Sequence, residues 1–140
     1  MTIFSPARHK GCMINLALAA HLFWCLVAWN HAAPTEARRD DLSLIAQDIA
    51  STDATFEEAE TLVAICKHES ECRTKAVGDG GLSRGAFQVR GKDASAKAAL
   101  SAMRWSMRAC KDLSLYAGFG RCGGDPATLA SLVDPTLPRR

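Results

Sequence analysis

Residues 55–70, TFEEAETLVAICKHES, decide the fold. Thr55 is a helix-capping residue and Glu58 stands three positions later, the spacing of a capping box. Glu57, Glu58 and Glu60 crowd the first turns, where the positive end of the helix dipole favours carboxylates. Ala59, Leu62, Val63, Ile65 and Cys66 then recur at helical spacing. The stripe of Leu62, Ile65 and Cys66 continues to Glu69, so this helix is expected to carry a carboxylate on the face it buries. Loss of water disfavours the charged form and raises the pKa of such a group. A carboxylic acid still protonated near neutral pH is the proton donor that breaking a glycosidic bond requires.

Downstream, Gly78, Gly80, Gly81 and Gly85 exclude a regular helix over 73–85 and mark a glycine-rich loop. Ala86-Phe87-Gln88-Val89 follows, then a turn at Gly91 and a second long helix from about Ala94 to Lys111. A short helix is predicted over Leu113–Ala117, ended by Gly118, and another over Pro126–Val133. Pro135 and Pro138 predict a flexible tail over 135–140. Upstream, Leu42, Ile45, Ala46 and Ile49 predict a first short helix, preceded by a polar linker over 34–41. Phe87 and Trp105 are read as packing residues.

The 140 residues are 48% hydrophobic and 23% charged, which excludes two large domains and a disordered acidic chain. Arg8 and Lys10 account for the whole net charge of +2, so no basic nucleic-acid footprint is present and no nucleic-acid partner is expected. Residues 34–72 carry ten acidic and three basic side chains, against five and twelve over 73–140. Two mutually attracting solvated faces account for this split; a positive half that aids approach to an anionic polymer is the functional reading.

Arg8, His9 and Lys10 precede an apolar run from Gly11 to Trp29, and Ala32-Ala33 follows, the order of a secretory signal peptide over 1–33. Cutting after Ala32 leaves Asn30 at the −3 position, and cutting after Ala33 puts Pro34 immediately downstream. An uncleaved membrane anchor and a buried core helix are the other readings. A span takes about 20 apolar residues and this run is near the lower limit. Export, to the periplasm or beyond, is the expectation.

Setting aside Cys12 and Cys25 leaves Cys66, Cys72, Cys110 and Cys122, an even number that reads as two disulfides with three possible connectivities. Closing the Cys110–Cys122 loop contributes about 2–3 kcal/mol through lost unfolded-state entropy and favours that pair, leaving Cys66 with Cys72. No Cys-x-x-Cys pair supports zinc, and neither metal nor cofactor is expected. The fold class is therefore a mainly α domain over 42–134, with a glycine-rich loop and disulfide staples, following a signal segment.

His68-Glu69-Ser70, Ser83-Arg84-Gly85-Ala86-Phe87-Gln88 and Tyr116-Ala117-Gly118 resemble, in order and spacing, the three motifs of the soluble lytic transglycosylase domain, related in fold to goose-type lysozyme. The resemblance covers residues 42–123 and implies a lysozyme-like helical fold that acts, as a monomer, on peptidoglycan glycan strands. It implies that Glu69 is the catalytic acid and that Ser70 helps orient it. It implies that Gly85 allows close backbone approach, Gln88 lines the sugar cleft and the Tyr116 hydroxyl lies near the glutamate. This chain departs from the pattern at Leu115 and at Ala117, where asparagine is common. In the family one glutamate protonates the glycosidic oxygen, then takes the proton of the muramic C6 hydroxyl, closing a 1,6-anhydro ring. Asp79 and Asp93 are candidate second carboxylates. Either of them about 6.5–9.5 Å from Glu69 makes water-based hydrolysis feasible. A non-catalytic wall-binding protein on the same scaffold, and a secreted binding protein unrelated to sugars, are the alternatives from other classes.

Overall fold

The computed structural model describes residues 15–29, 35–91 and 93–138. Among the described residues are five α-helices, α1 (Leu16–Trp29), α2 (Glu36–Ala50), α3 (Phe56–Ser70), α4 (Ala96–Cys110) and α5 (Pro126–Val133), and a small ribbon of β1 (Val77–Gly78), β2 (Ser83–Arg84) and β3 (Val89–Arg90) inserted between α3 and α4. The ribbon is antiparallel in the order β1-β2-β3, with Val77 opposite Arg84 and Ser83 opposite Arg90.

Helix α3 is the centre, packed against α1, α2, α4 and α5. Its predicted capping box is present: the Glu58 N–H donates to Thr55 Oγ1 (3.1 Å) and the Thr55 N–H to Glu58 Oε1 (2.9 Å). Ala59, Leu62, Val63, Ala64, Ile65 and Cys66 are buried, so the apolar stripe is the core contact. Glu58 also receives a bidentate ion pair from Arg104 of α4, with both nitrogens at 2.8 Å. That pair fixes the two long helices relative to each other. Ser95 caps α4, Asp125 caps α5, and Pro126 occupies the first turn of α5, where its missing N–H costs nothing. Both disulfides take the favoured pairing, Cys66–Cys72 and Cys110–Cys122.

Three expectations change. Residues 35–41 are not a linker: Thr35 Oγ1 accepts the Arg38 N–H at 3.2 Å, and this cap starts α2 at Glu36, ahead of the apolar periodicity. Leu113–Ala117 is a series of turns rather than a helix, because side chains take its backbone groups. The Leu115 and Tyr116 N–H groups donate to Ser106 Oγ, and the Ser114 N–H donates to Asp112 Oδ1. Residues 135–137 are tied down, with Lys67 Nζ donating to the carbonyls of Pro135 and Leu137; residues 139–140 of the expected tail lie outside the described residues. The described part of the apolar run, 16–29, is α1, capped by Asn15 Oδ1, and it packs on α2 and α3 with Leu22 and Leu26 fully buried. Its His21 meets the Phe56 ring at 5.1 Å and Glu60 at 3.5 Å. Arg8, His9, Lys10 and the Ala32-Ala33 boundary lie outside the described residues. Among the described residues no helix is long and apolar enough to cross a membrane.

Candidate active site

Glu69, half-buried at the C-terminal end of α3, lines a cleft of about 540 Å³ whose walls include Asp79, Gln88, Trp105 and Tyr116. These side chains come from α3, the ribbon, the Gly85–Gln88 turn, α4 and the loop after α4. The three motifs read from sequence therefore meet in space.

The turn that carries Gln88 is constrained twice. Gly85 has φ +79°, and a Cβ there would lie 2.8 Å from the Ala94 Cβ. Its close approach in the fold is to Ala94, and it is not among the residues that line the cleft. Gln88 itself has φ 50°, a left-handed conformation uncommon outside glycine. Both its N–H (3.2 Å) and its Nε2 (2.9 Å) donate to the Gly85 carbonyl, which offsets that strain. The Gln88 amide oxygen rests over Gly78, where an added Cβ would stand 2.4 Å from it. Gly78 thus makes room for the amide, a role not assigned from sequence, where it counted only as one loop glycine among several.

Tyr116 is placed by hydrogen bonds from behind. Ser106 is fully buried on α4; its Oγ donates to the Asp112 carbonyl (2.9 Å) and accepts the Leu115 and Tyr116 N–H groups. Ser114 Oγ accepts the Gly124 N–H, and the Cys110–Cys122 bridge closes the loop. The Tyr116 hydroxyl donates to the Phe87 carbonyl at 2.7 Å. Burial, with the neighbouring Glu69 charge second, pushes the phenol pKa well above its ordinary range. It is therefore a fixed, neutral donor throughout the physiological pH range. Phe87 is a core residue, 1% exposed.

Other sequence-predicted residues fall differently. Ser70 does not reach the cleft: it is buried, and its Oγ donates to the Ala86 carbonyl at 2.5 Å while accepting the Arg73 N–H. It joins the end of α3 to the Gln88 turn. Asp93 is exposed beyond the cleft, where hydrogen bonding from the Ser95 side chain, and then from the Ser95 N–H at 2.9 Å, holds its carboxyl below its usual pKa. Asp79 is a cleft residue, with Oδ2 accepting from Ser83 Oγ (2.6 Å) and 3.9 Å from Arg90. His68 points to α5, with Nδ1 2.8 Å from Ser131 Oγ. Trp105 is not a packing residue: it is 54% exposed on a cleft wall. The buried stripe of α4 runs through Ala96, Ala99, Leu100, Met103 and Ser106, which leaves Trp105 off it. That off-stripe position was the signal in the sequence.

No family model, curated protein or solved structure matches the chain. Among the described residues no group of three or more His, Cys, Asp or Glu side chains is arranged to hold a metal ion. The cleft offers a half-buried carboxyl, a phenol whose one proton is held by the Phe87 carbonyl, a neutral amide and an exposed indole, with Asp79 and Arg90 also on its walls. That set suits proton transfer to and from a ring-shaped substrate.

Proposed function

We propose that this protein is a lytic transglycosylase that cuts the bond between N-acetylmuramic acid and N-acetylglucosamine in peptidoglycan strands. The observation that carries the reading is the convergence of Glu69, Gln88 and Tyr116, far apart in sequence, on one cleft. Glu69 in its acid form donates a proton to the glycosidic oxygen, and the bond from C1 to that oxygen breaks. The substrate's own N-acetyl carbonyl stabilises C1. The Glu69 carboxylate then removes the proton of the C6 hydroxyl, whose oxygen bonds to C1 and closes the 1,6-anhydro ring. No water is consumed and the glutamate ends protonated, as it began. Gln88 and the face of Trp105 hold the sugars. Leu115 and Ala117 present an apolar wall on either side of Tyr116.

Asp79 in the same cleft favours a second reading, hydrolysis of the same bond with Asp79 directing water. The Ser83 and Arg90 contacts, both on Oδ2 of Asp79, count against it by favouring the ionised carboxylate's present orientation. A third reading, a strand-binding protein without turnover, uses the same walls.

The two disulfides support an oxidising compartment, and we place the protein in the cell envelope, exported by the segment before Pro34. The decisive experiment is Glu69→Gln on purified peptidoglycan. The fold is kept and muropeptide release falls at least about a thousandfold, as loss of the proposed general acid requires. An unchanged rate refutes the role of Glu69. Mass analysis separates the chemistries: anhydro ends mean transglycosylation, reducing ends mean hydrolysis, and intact bound strands mean binding alone.

A further inference from the structure

Helix α3 ends at Ser70, one residue after Glu69, so the carboxyl is carried on a terminal turn. The Lys67 and Cys66 carbonyls of that turn accept the Glu71 and Cys72 N–H groups at 3.1 and 2.9 Å, and the Cys66–Cys72 disulfide closes it, so its direction is set by how residues 71 and 72 are held. The two residues beyond, Glu71 and Cys72, are both left-handed at φ 56°, and they turn their carbonyls toward α2. There Arg38 donates Nη1 to the Cys72 carbonyl at 2.6 Å and Nη2 to the Glu71 carbonyl. Asp41, with Oδ2 3.5 Å from Arg38, accepts the Thr74 N–H at 3.3 Å and the Thr74 hydroxyl. Helix α2 therefore grips the chain at residues 71, 72 and 74, while Ser70 holds it from the other side through the Ala86 carbonyl.

We propose that Arg38 is a positioning residue for Glu69, its planar guanidinium setting the direction in which the last turn of α3 presents the carboxyl to the cleft. Arg38 is not among the residues that line the cleft. Its cation at a helix C-terminus complements the dipole. Lysine does not replace it, because an ammonium on a flexible stem lacks the rigid fork that spans two carbonyls. The sugar-holding groups Gln88 and Trp105 stand on other elements, so Arg38 governs turnover and not binding.

This inference rests on the catalytic reading of Glu69, and its test uses the full chain with soluble, uncrosslinked glycan strands. Arg38→Lys keeps KM within about twofold and lowers kcat about ten- to a hundredfold, the cost of misplacing a reacting group by about 1 Å. A kcat within twofold of wild type overturns the proposal, as does a loss that only tracks the folded fraction measured by thermal melting. If Arg38→Lys is unfolded at the assay temperature, Asp41→Asn, which loosens the same grip at Thr74, is read by the same kcat and KM criteria. Wild-type protein that cuts no strand overturns the Glu69 reading together with this one. Active wild type beside an equally active Arg38→Lys overturns this one alone.

Discussion

The Tyr116 hydroxyl donates a 2.7 Å hydrogen bond to the main-chain carbonyl of Phe87, the residue immediately before Gln88. One side chain thereby joins the loop after α4 to the turn that carries the amide, and it stands beside Glu69 while doing so. Tyr116→Phe removes the donor and leaves the carbonyl short of a partner, a loss of about 1–2 kcal/mol in stability. Turnover falls about tenfold as the Gln88 turn, no longer tied to the loop after α4, loosens. Chemical denaturation and muropeptide release measure the two effects separately.

Gly78→Ala tests the seat of the Gln88 amide. The new methyl would stand 2.4 Å from Gln88 Oε1, so the amide has to swing away. The φ at Gly78 is −132°, an ordinary extended value, so the substitution adds no backbone strain. Strand binding weakens about tenfold, the value of one lost hydrogen bond, while the melting temperature changes little. A variant that binds normally shows that the amide takes no part in holding sugar.

Stability should fall in acid through one named pair. Arg104 holds the Glu58 carboxyl down at about 2, with the capping contacts to Thr55 assisting. A lowered folded-state pKa means the contribution is complete above the ordinary carboxylate value and is lost as pH falls from about 4.5 toward about 2. After discounting for partial exposure, this amounts to about 1–2 kcal/mol. Urea unfolding of wild type and Glu58→Gln across that window reads it: the difference between them shrinks toward the acid end. A constant difference shows that the pair contributes nothing through charge.

Leu22 and Leu26 are fully buried on α1, so α1 belongs to the core for as long as it is attached. Leu22→Ala in the full chain costs about 2–4 kcal/mol by cavity formation. A chain starting at Pro34 lacks that burial and unfolds at lower denaturant than the full chain. Equal midpoints for the two chains mean that α1 does not stay docked in solution.

Much of this was legible in the sequence because it is local. The Thr55–Glu58 box, the Leu62–Cys66 stripe and the Asp125-Pro126 start each act within one or two helical turns, where spacing dictates geometry. Glu69, Gln88 and Tyr116 could be named as residue types in order, and they do share a cleft. What was misread is non-local. The 34–41 stretch is polar because Arg38 and Asp41 bond to residues more than thirty positions away, and polarity alone resembles a linker. Asp79 and Asp93 were equivalent on paper, and only the ribbon and the Ser95 cap set them apart.

By itself the sequence determined where α3 and α5 begin, which face α3 buries and that a carboxyl stands at its end, since these follow from propensities and periodicities of neighbouring residues. The tertiary structure alone decided that Ser70 and Gly85 serve packing, that Trp105 faces the cleft, that Ser106 seats the Tyr116 loop and that Arg38 reaches the Glu71 and Cys72 carbonyls. Those roles depend on which carbonyl or side chain a distant segment brings within about 3 Å, the reach of a hydrogen bond. No spacing along the chain encodes that distance.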